Sequence, residues 1–482
     1  YGFNHLESER SFDYASKLDP KLAIAHWGVA LALGSNINDP ITKDREQRAA
    51  AAIRRALRLK QYASPAERAY IDALARRYIG RGDRAAKDRA YANAMSVVAR
   101  RYPNDPDAAS LYADSLMNLM PWDYYTADGK PKPEIRKAIV ALEGVMKRWP
   151  RHPGAHHLYI HAVEASNTPE RGERSADVLG DLVPAAGHLV HMPGHIYMRV
   201  GRYHDAVLAN ERAIAADEDY ITQCRAQGVY PLAYYPHNIH FMTFAAMMDG
   251  RRELSITSAE KVRSKLPGDM TDVPPWASPF TAVTVFAKAR FGAWDEILQE
   301  PKPDATLPAA VAMWHYGRGL AYVRRGDMKL AQQERAALAS FERDKKFAEV
   351  DFGLNKAVKV VEVAGKVLDG EMAAAGKQPE QAITHLRQAV KMQDALRYNE
   401  PEDWYMPVRQ ALGAVLLDAG RAAEAEKVYR EDLARNRENG WSLYGLMKSL
   451  EAQGKREEAA QVQARFEKAW KRSDVKLTAS RF

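Results

Sequence analysis

Apolar residues along this chain recur at helical spacing, in runs of about 12 to 16 residues broken by short polar stretches, and strict apolar–polar alternation is scarce. Alanine is abundant within the runs. The pattern predicts an all-α protein. A short phrase punctuates it: a Gly, a few residues with a basic or small one among them, then an Ala that opens a new helix. The phrase reads "GRYHDA" at 201–206, "GDMKLA" at 326–331, "GRAAEA" at 420–425 and "GKREEA" at 454–459. Gly420 and Gly454 lie 34 residues apart, and another glycine stands seven residues before three of the phrases, at Gly194, Gly319 and Gly413. Small residues there let two helices pack closely, and Pro20, Pro106 and Pro184 are expected to end second helices.

A helix–turn–helix unit repeating every 34 residues carries the marks of the tetratricopeptide repeat. The expected fold is an all-α solenoid of about ten helix pairs with no sheet, divided into a histidine-rich superhelix over 1–300 and further repeats over 301–482. The repeat register is not fixed by the sequence over 35–70 and 340–380. Irregular inserts interrupt the array at 121–134, at roughly 216–236, and at 265–279, 301–308 and 399–407. Inserts of this length in a repeat protein are usually functional or gathered on one face.

Composition narrows the picture. Hydrophobic residues at 46% and charged residues at 27% allow a large core. No apolar run approaches the roughly 18 residues that a membrane span needs. The net charge of +8 comes from basic residues interleaved with acids, which reads as solvated helix faces and points away from nucleic acid. A single cysteine, Cys224, rules out a disulfide framework and a thiolate metal site. The chain opens on Tyr1 inside a helical pattern, which fits a removed export signal and a periplasmic or otherwise exported protein.

The candidate chemistry lies in the histidines, most of them between His152 and His240. In "HPGAHHLYIHAVEAS" (152–166), His157, His161 and Glu164 share one helical stripe. His191 and His195 repeat that stripe 34 residues on, within "GHLVHMPGHIYMRVGRY", where one helix is expected to carry His188, His191 and His195 together. His237 and His240 follow His188 and His191 by 49 residues, as Gly250 follows Gly201. Three successive first helices thus present histidine in register, with His157, His191 and His240 as one row, His161 and His195 as a second, and His188 and His237 as a third. Neutral imidazoles gather around something that binds them, and a transition metal is the usual candidate.

At these residues the chain resembles a group of bacterial tetratricopeptide-repeat proteins with histidine-rich repeats. The shared wording includes "FNHLESERSF" (3–12) and "DPKLAIAHWGVALALGSNIN" (19–38), together with the two histidine segments. The resemblance covers roughly the first 260 residues and implies the repeat fold without a particular activity. His26 stands where an aromatic is more usual.

Helical repeats fold without metal, so a catalytic or transport site is expected in preference to a structural staple. Seven histidines and one carboxylate exceed a single coordination sphere, which suggests a mono- or dinuclear centre. Nitrogen-rich ligation favours copper first, then zinc or iron. The expected function is a metalloenzyme acting oxidatively or hydrolytically on a small molecule in the concave groove, with Glu164 as a base and Arg199 holding an anionic group. The alternatives are a scaffold that binds a peptide or protein partner, and a periplasmic metal carrier. His315 and His5 stand outside the stripes, His315 as a structural residue. GxSxG, P-loop, HExxH and dinucleotide-binding GxGxxG motifs are absent from the sequence.

Overall fold

The computed structural model describes every residue except Ala127, Gln227, Gly268, Asp269, Thr271 and Asp272. These six lie within three of the inserts expected from the sequence, whose readings at those positions fall outside the described residues. The chain divides into two compact units, Tyr1–Ile196 and Tyr197–Phe482, so the boundary expected at 300/301 falls inside the second.

Each unit is a stack of helical hairpins, and the fold is all-α and tetratricopeptide-like. In the first unit, helix Ala23–Ala32 packs on Lys43–Leu59 and also on Pro65–Tyr78, and Pro106–Met117 packs on Pro133–Arg148 and on Pro153–Val163. The second unit repeats the arrangement, with Pro308–Arg325 against Met328–Arg343 and Ala357–Ala375, and Val408–Asp418 against Ala422–Arg435 and Gly440–Ala452. Contact between one helix and the next but one is what stacked hairpins require, because the first helices of successive pairs line up.

Local chemistry explains the helix ends. Thr42, Ser64, Asp83 and Asp105 each accept a backbone N–H at a helix start, and Ser64 forms a reciprocal box with Glu67. Pro106 does not end a second helix, as the sequence pattern suggested. It occupies the first turn of Pro106–Met117, where a missing N–H costs nothing. The glycines of the recurring phrase, Gly201, Gly326, Gly420 and Gly454, all have φ between 73° and 83°. Only glycine adopts that left-handed turn cheaply, and it lets Asp327 N–H reach back to the Tyr322 carbonyl at 2.9 Å after helix Pro308–Arg325.

The close-packing glycines are also in place. Gly413 and Gly445 flank the fully buried Tyr429, whose ring occupies the space that a Cβ at either position would take. Gly319 meets Leu368 in the same way.

Two expectations need correction. A two-residue antiparallel pair, Asp351–Phe352 with Asn355–Lys356, interrupts the region where no register was legible, turning at Gly353 (φ 66°). The insert expected at 216–236 is largely helical: Tyr203–Cys224 runs through its first half, and Tyr230–Tyr234 forms a wide helical turn before Tyr235–Met248. Every residue of Tyr235–Met248 is buried, so tertiary packing starts this helix at Tyr235 and Pro236, where aromatic and Pro content reads as the end of a loop, and carries it through the expected His237 and His240.

Candidate metal centre

Helix Pro153–Val163 starts at His152, whose Nδ1 accepts the Ala155 N–H at 3.0 Å, with Pro153 fixing the first turn. From Gly154 to Val163 every residue is buried. The helical period puts His157 and His161 on one side, ring centroids 4.9 Å apart, and Glu164 follows in helical geometry just past the end. His156, on a different face, is satisfied by Ser175 Oγ at 3.0 Å and the Pro150 carbonyl at 2.9 Å, as befits a structural histidine.

The next stripe is not one helix. Gly187–His191 ends at Met192, and Pro193–Val200 begins anew, because Pro193 has no N–H to continue the ladder. His188 and His191 therefore sit before the break and His195 after it. This changes the expected rows. His157 meets His188 and not His191, Nε2 to Nε2 at 3.1 Å, while His191 and His195 face each other across the break, Nε2 to Nε2 at 2.7 Å. The row of His161 and His195 keeps its place, with ring centroids 5.7 Å apart.

Glu164 joins the two groups. The carboxylate is fully buried, and each oxygen accepts from one imidazole: Oε1 from His161 Nδ1–H at 2.7 Å and Oε2 from His195 Nδ1–H at 2.5 Å. Burial alone would push the Glu164 carboxyl up, but the charge of His195 and the hydrogen bonds from His161 and His195 outweigh it and hold the group ionised. With both oxygens engaged, Glu164 orients imidazoles, a different placement from the free base expected from the sequence. Burial, reinforced by neighbouring imidazoles, lowers the pKa of His157 and His188, and burial lowers that of His161, so these rings are neutral and their lone pairs are available.

One donor atom each from His157, His161 and His188 lies within 4.8 Å of the others, all three residues being buried. Two nitrogens bound to one tetrahedral ion at ~2.0–2.1 Å stand about 3.3–3.4 Å apart, so the 3.1 Å His157–His188 separation already fits a shared ion. His161 offers a third donor within 4.8 Å of these two. Its Nε2 is buried without a hydrogen-bond partner, and the Glu164 bond at Nδ1 fixes the tautomer that leaves Nε2 as a bare acceptor. The residues fit a three-histidine site.

Two aromatic residues that sequence reasoning did not assign wall this cluster. Phe3 lies against His157, His161 and His188 with centroids 4.7, 5.8 and 5.1 Å away, and Trp122 stands edge-on to His161 at 5.5 Å. Trp122 belongs to the insert at 121–134 and Phe3 to the family-like "FNHLESERSF", so both signals were present without a role. His5 is satisfied as a neutral ring, its Nδ1–H on the Ala32 carbonyl at 2.6 Å and its Nε2 accepting from Asn36 at 2.9 Å.

The remaining candidates belong to the second unit. His237 packs among Phe241, Trp276 and Phe280. His240 lies 4.7 Å from Phe280 and 5.2 Å from Tyr405 with neither nitrogen hydrogen-bonded, and burial lowers its pKa to about 3. Arg199 sits over the Tyr398 ring at 5.3 Å. His315 donates to Glu334 at 2.6 Å, a structural contact.

No protein family matches the chain, and no curated protein matches it in sequence. Among solved structures it is similar to human IFIT1 in a dimer with m7Gppp-AAAA, at 12% identity over 92% of this chain and 90% of that one, with a TM-score of 0.36. It is also similar to Ypp1 (10% identity, 94% and 68% covered, TM-score 0.46). A third is the Cut9–Hcn1 hetero-tetramer of the APC/C (10% identity, 97% and 91% covered, TM-score 0.32). Likenesses this distant carry nothing about function. No described helix is long and apolar enough to cross a membrane.

Proposed function

We propose that the first unit binds a transition-metal ion on His157, His161 and His188, and that the protein is a metalloenzyme acting on a small molecule. The observation that carries the reading is the buried, unpartnered Nε2 of His161, held by Glu164 beside two imidazole nitrogens. An orphan acceptor in the interior costs about 1–3 kcal/mol unless something meets it. A bound ion meets it.

Three neutral imidazoles leave an ion one open position, the pattern of catalytic sites as opposed to closed structural ones. The donor set favours copper, then zinc or iron. When bound, such an ion supplies either an activated water or a redox centre. Glu164 orients His161 and raises its basicity, the outer-shell role that carboxylates play at metal sites. Phe3 and Trp122 restrict water. A cavity of about 180 Å³ in the same unit shares Phe3 and Leu158 with this region and is lined on its other sides by His5, Asn36, Arg77 and Asp114, which supports a small substrate. Arg77 is already engaged by Asp88 and Ser35 there, which leaves the Asp114 carboxyl and the neutral His5 and Asn36 to recognise it.

The test is elemental analysis of the purified chain and of His161→Ala. The expected result is stoichiometric metal in the parent, with at least a ten-fold weaker hold in the variant and an unchanged far-UV spectrum. If the parent takes up no metal, or if His161→Ala unfolds while keeping a normal metal content, the histidines are core residues and a partner-binding scaffold becomes the better reading.

A further inference from the structure

The second unit contains a larger cavity, of about 630 Å³, none of whose lining residues belongs to the histidine stripes. That volume is in the range of small-molecule sites. One wall is the turn at Gly201 and the first residues of helix Tyr203–Cys224. The other is the end of helix Arg456–Ala469 and the residues after it.

The lining charges are unequal. Arg202 is neutralised by Asp205 at 2.7 Å and Arg465 by Glu438 at 2.6 Å. Lys468, Lys471 and Arg472 have no carboxylate within ion-pair distance among the described residues. Three free cations and the positive end of a helix 22 residues long therefore face one space.

A second observation points to a ligand. Asp249 is 4% exposed, lines the same cavity, and its Oδ2 has no hydrogen-bond partner. His204 Nδ1, also unpartnered, stands 3.7 Å from that oxygen, too far for a hydrogen bond. A buried carboxylate left in this state is costly, and burial raises its pKa to about 6. An N–H or O–H donor brought by a ligand would satisfy it.

We propose that this cavity binds a small organic anion that also carries an amino or hydroxyl donor, the anionic group held by Lys468, Lys471 and Arg472 and the donor by Asp249. The requirement for both features separates this site from a general basic surface. It is independent of the metal reading.

Calorimetric titration of the full chain with two probes tests it. Phosphoethanolamine carries the anion and a donor; ethyl phosphate carries the anion alone. Phosphoethanolamine is expected to bind saturably and roughly ten-fold or more tightly than ethyl phosphate, the worth of one hydrogen bond to a charged group. Asp249→Asn should abolish most of that preference. Lys468→Glu combined with Arg472→Glu, both on the surface and outside the core, should weaken both probes at least ten-fold. Saturable binding of neither probe, equal binding of the two, or undiminished binding to the double variant would overturn the proposal.

Discussion

Glu164→Gln is the sharpest perturbation of the first unit. The native carboxylate accepts two Nδ1–H groups, from His161 at 2.7 Å and His195 at 2.5 Å. Glutamine offers one oxygen, and its amide nitrogen would face a ring N–H with another N–H. One of the two histidines must then lose its partner or change tautomer. Hydrogen bonds to an ionised acceptor contribute about 1.5–3 kcal/mol each, so the variant should be destabilised by about 2–3 kcal/mol in urea. If His161 changes tautomer, its Nε2 carries the proton and stops being a metal donor. Even if the ring only loosens, loss of such an outer-shell partner lowers metal affinity roughly 10–100-fold. Chelator competition measures the affinity and a urea melt the stability. Glu164→Ala removes both acceptors and should exceed the glutamine variant in both readouts. A glutamine variant that holds metal within two-fold of the parent and melts at the same midpoint would refute the positioning role.

Gly445→Ala should destabilise the second unit by about 1–3 kcal/mol, because the new methyl overlaps the enclosed Tyr429 ring; a denaturant midpoint equal to the parent's would show that the packing is looser than described. Asp217 gives a pH signature: burial pushes its carboxyl from 3.8 to about 7 although Tyr230 and Asn238 donate to it, so the folded chain keeps a proton that the unfolded chain loses. The contribution to stability is present below about pH 4 and falls as pH rises toward 7, so Asp217→Asn, with Asn238 flipped to offer its free Oδ1, should gain on the parent by up to about 1.4 kcal/mol per pH unit across that window. A stability difference that stays constant from pH 4 to 7 would contradict this.

The fold was legible because its signals are local. The Gly of each recurring phrase requires a left-handed turn, and the glycine seven residues earlier removes a Cβ where another helix's side chain intrudes, as at Gly319 and Gly413. The turn acts within one hairpin, and the close approach is to the partner helix at Gly413 and to the next hairpin at Gly319; both recur at a fixed spacing, which exposes them. The short strand pair at Asp351–Lys356 and the helix reaching Cys224 were not legible. The first depends on a two-residue turn at Gly353 and Leu354, and the second runs past Asp217 on exposed and half-buried residues, where no apolar stripe marks it.

The site was legible at a coarser level, and the reason is geometric. A 34-residue spacing says which residues occupy equivalent places, but the phase of a helix decides which rings meet. Pro193 breaks the ladder after Met192, and the pairing of His157 passes from His191 to His188. The one row that keeps its register, His161 with His195, is the one tied by a side chain outside the stripe's imidazoles. A carboxylate has two oxygens and so can serve two N–H donors, and Glu164 lies close enough to both rings to serve them together. Its presence was visible in the sequence, but whether it would act as ligand, base or orienting group depended on what its second oxygen would find. His195 answers that question. Once both oxygens are engaged, the protons of His161 and His195 are fixed on Nδ1, and Nε2 of His161, left bare and unpartnered, lies beside His157 and His188, where a metal ion can meet it.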